Sequence, residues 1–306
     1  MDTSRDAGDG ILRRPSWWTI WYLAARPKTL WTGISPVIVG SALAWHDHAF
    51  VLPAALAALV GAIAIQVGTN FANDLSDHLR GADGTDRLGP TRATQAGWVT
   101  PAQMRRAVAF VFALAFLVGI YLVFRGGWPV VAIGLCSLAA AWLYTGGPYP
   151  FGYHGLGDIF VFIFFGPVAV VGTYYVQTLT TTSAAWQAAI PMGAWAAAVL
   201  CVNNLRDIES DRRAGKRTLA VRLGRRGAVW EYAILILVTF LTPIGLYATD
   251  AVGPAVLAAS AVALLGIRLV RRIGRVDQGV ALNEVLAATA RSQLLYALVF
   301  AGGVMW

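Results

Sequence analysis

Runs of about 20 apolar residues recur along the whole chain, and an α-helix needs a run of that length to cross the hydrocarbon of a bilayer. Only 13% of the 306 residues are charged and 57% are hydrophobic, whereas soluble domains carry about 25% charged residues. The sequence therefore predicts an all-α integral membrane protein and excludes a soluble domain. We expect nine transmembrane helices, at about 29–45, 52–72, 107–124, 127–145, 158–177, 186–205, 229–248, 252–270 and 284–306.

The basic residues are distributed unevenly between the predicted loops. The net charge is +8 at pH 7, and nearly all Lys and Arg residues lie before residue 29 or in the second, sixth and eighth loops. Basic loops of membrane proteins remain in the cytoplasm, so the N-terminus and the even-numbered loops are predicted to be cytoplasmic and the C-terminus external, in the cell (inner) membrane. The positive charge therefore reflects topology, and nucleic acid is not an expected partner.

Two predicted helices end in similar clusters of amide and acid residues. The second helix ends in "NFAND" at 70–74, followed by Asp77, and the sixth ends in "NNLRD" at 203–207, followed by Asp211. Both clusters are expected on the cytoplasmic side, four helices apart. This indicates a parallel pseudo-repeat of helices 1–4 and 5–8 plus helix 9, within one domain at 23–306 that follows an N-terminal cytoplasmic segment at 1–22.

The spacing of the acids favours a metal site. Residues three or four apart share one helix face, so Asp74 and Asp77 are like-charged neighbours, as are Asp207 and Asp211. A hard divalent cation relieves this repulsion, and Mg²⁺ binds carboxylates together with phosphate oxygens. Two clusters facing each other would hold Mg²⁺ and a diphosphate. The alternative is that these acids are solvated groups at helix ends.

Basic residues near both clusters are candidates for binding the diphosphate, because guanidinium and ammonium groups recognise phosphate. They are Arg26, Lys28, Arg80, Arg87, Arg92, Lys216 and Arg217. Their cytoplasmic location alone also explains a basic character. Asp83 and Asp86 lie among these arginines and are equally suited to salt bridges within the loop.

A loop rich in Gly, Pro and Tyr joins the fourth and fifth predicted helices. Its sequence at 144–158 is "YTGGPYPFGYHGLGD", without Lys or Arg. Tyr144, Tyr149 and Tyr153 are candidates for lining an acceptor or cation pocket, since aromatic faces stabilise cations. An interfacial tyrosine belt is the ordinary alternative.

Five motifs in order resemble the UbiA superfamily of intramembrane aromatic prenyltransferases. They are "RPKTL", "QVGTNFANDLSD", "GADGTDRLGPTR", "YTGGPYPFGYHGLGD" and "NNLRDIESDRRAGKRTLAVRLG". The likeness covers residues 23–306 and is closest to the branch that acts on 1,4-dihydroxy-2-naphthoate in menaquinone biosynthesis. Many members continue the first motif with another Asp at the position of Gly81, and the naphthoate branch commonly shares this Gly. Asp83 lies two residues after Gly81, and the resemblance leaves open whether it replaces the missing carboxylate.

The resemblance implies a nine-helix bundle with a central cavity that opens to lipid and is capped by cytoplasmic loops. It also implies an Mg²⁺-dependent reaction between a polyprenyl diphosphate and an aromatic acceptor. Carried over by motif, the residues that bind the Mg²⁺–diphosphate are Asp74, Asp77, Asp207 and Asp211, assisted by Asn70, Asn73, Asn203 and Asn204.

The expected reaction is prenylation of 1,4-dihydroxy-2-naphthoate, with loss of CO₂ and pyrophosphate, to give demethylmenaquinol. Another acceptor, such as 4-hydroxybenzoate or homogentisate, is the alternative within the superfamily. A secondary transporter with parallel repeats is the alternative from another class. It would more naturally place charges in the middle of helices, accessible from both sides.

Overall fold

A computed structural model of the chain describes residues 15–80, 88–144, 146, 148–276 and 279–306. Within these ranges all regular structure is helical. The α-helices are α1 Trp17–Ala25, α2 Pro27–His46, α3 Leu52–Leu79, α4 Pro101–Gly126, α5 Trp128–Leu143, α6 Gly157–Ile163, α7 Gly172–Thr178, α8 Ser183–Arg206, α9 Ile208–Arg213, α10 Leu219–Ala248, α11 Ala258–Arg275 and α12 Leu282–Met305. A π-helix at Phe164–Val171 joins α6 to α7, and short 3₁₀ turns occur at Phe151–Tyr153, Pro254–Leu257 and Gly279–Ala281.

Seven helical segments in the described ranges are long and apolar enough to cross a membrane. They are Leu52–Leu79, Pro101–Gly126, Gly157–Thr178, Ser183–Arg206, Leu219–Ala248, Pro254–Arg275 and Gly279–Met305. The predicted spans at 29–45 and 127–145 also correspond to helices, α2 and α5. However, α5 has only 16 residues, and α2 is not among the seven. The all-helical membrane class is therefore confirmed, and the count of nine spans stays a prediction.

Local sequence signals explain where several of these helices begin. The Thr100, Thr182 and Thr218 side chains each accept a hydrogen bond from the backbone N–H three residues ahead, at the starts of α4, α8 and α10. Such caps satisfy donors that the first helical turn leaves without partners. At α4, Gln103 completes a capping box with Thr100, so each of the two side chains accepts a hydrogen bond from the backbone N–H of the other residue.

The span Gly157–Thr178 is helical throughout but not regular. Its middle third is the π-helix, which contains Pro167. Proline removes a backbone donor and clashes with the preceding turn, and π-bulges are one way in which a helix absorbs such a disruption. The segment therefore remains a continuous span, although a proline interrupts its α-helical hydrogen bonding.

Helix α8 lies at the centre of the bundle and packs against α10, α12 and the π-helix. Ala is the commonest residue of its buried face, and Met192 and Trp195 are fully buried large residues in its middle. At Gly193 a side chain would meet Phe162 O at 2.5 Å, so the two backbones approach closely there. Small residues allow such contacts between membrane helices. This packing places the C-terminal end of α8 rigidly inside the bundle.

Candidate active site

A cavity of about 680 Å³ opens between the helices. Apolar side chains from α3, α4, α5, the π-helix and α8 form most of its wall. Its polar lining comes mainly from the C-terminal ends of α3 and α8 and from the residues that follow them. These residues are Asn70, Asn73, Asp77, Arg92, Asn203, Asn204, Asp207, Ser210, Asp211 and Lys216. The two predicted clusters therefore meet at one cavity that has a polar end and a long apolar wall.

Helix α3 presents a polar stripe to this cavity. Gln66, Asn70, Asn73 and Asp77 all line it, and their spacing of three or four residues places them on one helix face. The Asn70 amide donates to Ala25 O at 2.9 Å. This bond ties the middle of the stripe to the turn between α1 and α2.

Asp77 is the most heavily contacted acid of the first cluster. Its carboxylate is buried and pairs with the Arg92 guanidinium. Its Oδ1 also accepts hydrogen bonds from the Tyr153 hydroxyl at 2.9 Å and from Lys216 Nζ at 3.1 Å. One carboxylate thus joins α3 to three segments that are distant in sequence.

Asp74 is placed differently from its neighbour. Its Oδ2 accepts the backbone N–H of Ala93 at 2.9 Å, and its Oδ1 accepts that of Thr94 at 3.2 Å. Asp74 is buried, and it is absent from the described residues that line the cavity. Its carboxylate supports the loop after α3, and the assignment of Asp74 as a metal ligand stays a prediction.

The second cluster is organised by an arginine of its own motif. The Arg206 guanidinium forms a bidentate pair with Asp207, with Nε 2.8 Å from Oδ1. It also donates to Asn203 Oδ1 at 2.8 Å. Because α8 ends at Arg206, Asp207 lies between two helices, and Asp211 belongs to the separate short helix α9.

Lys216 brings the two clusters together. Its Nζ lies 3.1 Å from Asp77 Oδ1 and 3.8 Å from Asp211 Oδ1. The same ammonium lies 4.7 Å from the centre of the Tyr153 ring, a cation–π distance. Acids from the ends of α3 and α9 therefore converge on one cation at the cavity.

The convergence of acids at the cavity affects the pKa of Asp211. The pKa of its carboxyl is raised to about 6, mainly by burial; the Lys216 ammonium lowers it, and the nearby Asp207 and Asp77 carboxylates contribute to the rise. Burial disfavours the charged form of a carboxyl, and like charges add to the effect. An additional cation at this position would stabilise the carboxylate.

We tested whether these residues fit a divalent metal. Nowhere in the described ranges do three His, Cys, Asp or Glu side chains stand together as a metal site. Each cavity carboxylate instead contacts a cationic side chain of the protein, Lys216, Arg92 or Arg206. The donors facing the cavity are nevertheless carboxylate and amide oxygens from both helix ends, the oxygen ligands that Mg²⁺ prefers. The donor set therefore fits Mg²⁺, provided that the protein cations move their contacts toward an anionic ligand.

The predicted phosphate-binding residues divide into two groups. Arg26, Arg92 and Lys216 line the cavity. Lys28, Arg80 and Arg217 are exposed and do not line it, although Arg80 lies over the Tyr153 ring at 5.1 Å. Arg87 lies outside the described residues, as do Gly81, Asp83 and Asp86.

The three tyrosines predicted to line the pocket do not all lie at the cavity. Tyr144 and Tyr153 line the cavity. Burial and the hydrogen bond to Asp77 raise the pKa of Tyr153, so its hydroxyl remains a donor to that carboxylate. Tyr149 is exposed and stacks on His154, with ring centres 3.7 Å apart, so the structure places it outside the pocket wall.

Three contributions to the site were not anticipated from the sequence. Gln66 belongs to the α3 stripe and could have been found from its spacing to Asn70. Arg206 stands next to Asp207 in the second motif, and this adjacency is the signal that could have identified it. Asn283 donates to Leu88 O and accepts from Arg206. No sequence pattern connects Asn283 to either cluster, because it comes from the last helix.

The family of the chain follows from a comparison of its sequence with family models. The model of the UbiA prenyltransferase family matches residues 33–286, which include both carboxylate clusters and most of the helices. The chain belongs to the UbiA prenyltransferase family. It is therefore a membrane enzyme that transfers prenyl groups, and the transporter alternative is excluded.

Curated relatives and a solved structure extend this result. A 1,4-dihydroxy-2-naphthoate octaprenyltransferase of Mycobacterium tuberculosis is 40% identical over 285 residues, which cover 93% of this chain and 96% of the relative. The enzyme of the same name from Escherichia coli is 38% identical over 295 residues, with 93% and 94% covered. A UbiA homolog from Archaeoglobus fulgidus, solved with DMAPP and Mg²⁺, has a TM-score of 0.62 at 14% identity and covers 94% of this chain and 99% of its own. That likeness supports the fold.

Proposed function

We propose that this prenyltransferase transfers a polyprenyl group from a polyprenyl diphosphate to 1,4-dihydroxy-2-naphthoate, giving demethylmenaquinol, CO₂ and pyrophosphate. The names of the 38–40% identical relatives support the acceptor. The observation that carries the chemistry is the convergence of Asp77 and Asp211 on Lys216 at the polar end of a largely apolar cavity. Such a cavity suits a ligand with a charged head and a long hydrocarbon tail.

The residues proposed to hold Mg²⁺ are those that face the cavity from both helix ends. They are Asp77, Asp207 and Asp211, with Asn70, Asn73, Asn203 and Asn204 nearby. Asp74 is proposed to act indirectly, by holding the backbone of residues 93 and 94. When bound, Mg²⁺ supplies positive charge that stabilises the leaving diphosphate.

Lys216, Arg92 and Arg26 are proposed to bind the diphosphate oxygens, because all three line the cavity beside the acids. Lys216 and Arg92 compensate the charge of Asp77. Binding of a metal–diphosphate would let both cations turn toward phosphate, where they stabilise the negative charge that develops as the prenyl C–O bond breaks. Exposed Lys28, Arg80 and Arg217, together with Arg87, would then guide the anion toward the cavity.

The apolar wall is proposed to receive the prenyl chain. Phe116, Ile120, Phe124 and Leu135, on α4 and α5, line the cavity and have exposed side chains. A lateral opening to lipid at this wall would let the tail enter without crossing water. Burial of the reacting carbon also keeps water from an allylic cation.

Aromatic faces at the polar end are proposed to protect that cation. Tyr144 and Tyr153 line the cavity near the acids, and a ring face attracts positive charge. The prenyl C–O bond breaks with its electron pair on the diphosphate, a carbon of the acceptor ring bonds to the prenyl carbon, and the ring carboxylate departs as CO₂. The chain's own residues orient the reactants and exclude water.

The topology is proposed from the distribution of charge. We infer nine membrane crossings, with the N-terminus and the carboxylate clusters on the cytoplasmic side of the cell (inner) membrane and the C-terminus outside. Residues 23–306 would form one domain, in which the first four and the next four of the nine predicted transmembrane helices form a pseudo-repeat and the ninth is additional. Loops after α3 and α9 would then cap the cavity from the cytoplasm.

A product analysis tests the proposed reaction. Purified protein in detergent is incubated with one polyprenyl diphosphate, Mg²⁺ and either 1,4-dihydroxy-2-naphthoate, 4-hydroxybenzoate or homogentisate, and the products are identified by mass. We expect prenylated product from the naphthoate alone, with a mass that shows the loss of CO₂, and no product when a chelator removes Mg²⁺. A product from 4-hydroxybenzoate or homogentisate in place of the naphthoate would overturn the assignment of the acceptor.

A further inference from the structure

Arg206 is a buried arginine whose whole guanidinium is used at the second cluster. Its Nε and Nη2 pair with the Asp207 carboxylate, Nη2 also donates to Asn203 Oδ1, and Nη1 donates to Asn283 Oδ1 at 2.9 Å. A planar fork with several donors holds its partners in a fixed relative orientation. The orientation of Asp207 at the cavity therefore depends on Arg206, which is not among the described residues that line the cavity.

Asn283 links this arginine to the loop after α3. It lies in the first turn of α12 and accepts from Arg206, while its amide nitrogen donates to Leu88 O at 2.9 Å. Asn is suited to this position because its side chain is at once an acceptor and a donor. One side chain of the last helix thus connects α8 to residue 88.

Packing at the same place shows that these segments are held in close contact. At Gly279, just before α12, a side chain would meet Leu88 Cδ1 at 2.3 Å and Arg206 O at 3.2 Å. The absence of a Cβ lets the three segments converge. The hydrogen bonds of Asn283 therefore lie within a packed junction.

The loop continues from this junction to the first cluster. Arg92, four residues after Leu88, forms the buried pair with Asp77, and the next two backbone N–H groups bind Asp74. The chain of contacts runs from Asp207 through Arg206, Asn283 and the loop segment 88–94 to Asp77.

We propose that Arg206 and Asn283 are positioning residues that couple the two carboxylate clusters through loop segment 88–94, so that both clusters hold one metal–diphosphate together. This inference rests on the proposed Mg²⁺–diphosphate site. It adds two residues that do not bind the metal or the diphosphate but that set the affinity of the site for them. Asn283 is the sharper test, because its side-chain hydrogen bonds go to Arg206 and Leu88, which are not among the described residues that line the cavity.

The first experiment compares Asn283→Ala and Arg206→Lys with wild type. The Ala variant removes both bonds of the link, and the Lys variant keeps the charge but cannot reproduce the fork. The control is Glu284→Gln in the same turn, which breaks only an exposed pair with Arg272. We expect both test variants to raise the KM for the polyprenyl diphosphate and the Mg²⁺ concentration for half-maximal rate about 10-fold, with a smaller change in kcat, whereas the control matches wild type.

The second readout does not depend on turnover. The unfolding temperature of each detergent-purified protein is measured with and without Mg²⁺ and inorganic pyrophosphate, because a ligand that binds the folded state stabilises it. We expect a clear upward shift for wild type and Glu284→Gln and a much smaller shift for Asn283→Ala and Arg206→Lys. Equal shifts in all four proteins would overturn the coupling alone. No shift in wild type would overturn the proposed metal–diphosphate site and the coupling with it.

A double-mutant cycle separates coupling from a local structural role. Arg92→Lys is combined with Asn283→Ala, two changes at opposite ends of loop segment 88–94. Independent sites give additive effects on the KM for the diphosphate, and coupled sites do not. We expect the double variant to be several-fold less impaired than the product of the single effects. Additive effects would show that Asn283 acts on its own cluster only and would overturn the proposal.

Discussion

The C-terminal ends of α3 and α8 carry nearly the same motif and use it in different ways. In the first, Asp74 binds backbone N–H groups of the following loop and Asp77 faces the cavity. In the second, the equivalent of Asp74 is Asp207, which lines the cavity and is held by Arg206. Equal spacing in sequence therefore does not imply equal roles.

The physical cause lies in the helices themselves. Helix α3 continues to Leu79, beyond both of its acids, and the Asp74 carboxylate binds the backbone of the following loop, whereas Asp77 lines the cavity. Helix α8 stops at Arg206, and the chain turns before α9 begins. Asp207 lies at this turn, where it lines the cavity and pairs with Arg206. The two ends are thus complementary halves of one site.

The largest effect is expected from the acid that joins the two halves. Asp77→Asn removes the charge that compensates both Arg92 and Lys216 and removes a proposed metal ligand. We expect turnover to fall by at least about 10²-fold, measured as kcat/KM at saturating acceptor. Glu209→Gln on α9, which affects only an exposed pair with Arg212, is the matched control. Turnover of Asp77→Asn within a few-fold of the control would remove Asp77 from the reaction.

Lys216 should show the next largest effect, because it contacts acids of both halves. Lys216→Gln keeps a hydrogen-bonding group and loses the cation. A hydrogen bond to a charged group contributes about 1.5–3 kcal/mol, so we expect the KM for the polyprenyl diphosphate to rise about 10- to 100-fold. Lys216→Arg should recover part of this loss. An unchanged KM in Lys216→Gln would show that Lys216 does not bind the diphosphate.

Replacing Asp74 should reduce turnover less than replacing Asp77, because Asp74 holds the loop after α3. In Asp74→Asn one oxygen that accepts a backbone N–H is replaced by an amide, which cannot accept it. Leaving a buried donor without a partner costs about 1–3 kcal/mol, visible as a lower unfolding temperature. We expect turnover to fall on the order of 10-fold through the displaced Arg92.

The Mg²⁺ dependence distinguishes this role from metal ligation. If Asp74 holds only the loop, the Mg²⁺ concentration for half-maximal rate should change much less in Asp74→Asn than in Asp77→Asn. Equal shifts of that concentration in both variants would show that the two acids bind the metal alike, as the motif alone suggests.

The smallest effect is expected on the exposed side of the second cluster. Arg212 and Glu209 form a salt bridge at 3.0 Å, with both side chains more than half exposed. Such pairs contribute little to stability. We expect Arg212→Gln to change neither turnover nor the unfolding temperature measurably. A loss comparable with that of Lys216→Gln would mean that phosphate binding extends to this surface.

The membrane class and the location of the site could be predicted from the sequence because both depend on local patterns. Apolar runs and acids at helix ends are readable in windows of a few residues, and the predicted clusters at 70–77 and 203–211 do meet at one cavity. The family resemblance is likewise confirmed by the family match.

The orientation of individual side chains could not be predicted, because it depends on where each helix ends and on which distant segment contacts it. Asp74 and Asp207 have equivalent positions in sequence, but the helix continues past Asp74 and ends before Asp207, and the two acids contact different groups. Tyr149 and Tyr153 share one loop, yet only Tyr153 reaches Asp77. Asn283 enters through the packing of the last helix, for which the sequence offers no local signal.

The central claim is that two unlike helix ends hold one metal–diphosphate, with Asp74 outside its ligands. The most direct measurement is an experimental structure of the protein with Mg²⁺ and a non-reactive polyprenyl thiolodiphosphate. We predict diphosphate and metal density between Asp77 on one side and Asp207 and Asp211 on the other, with Asp74 still bonded to the backbone of residues 93 and 94. Density bound by one cluster alone, or metal coordinated by Asp74, would contradict the account.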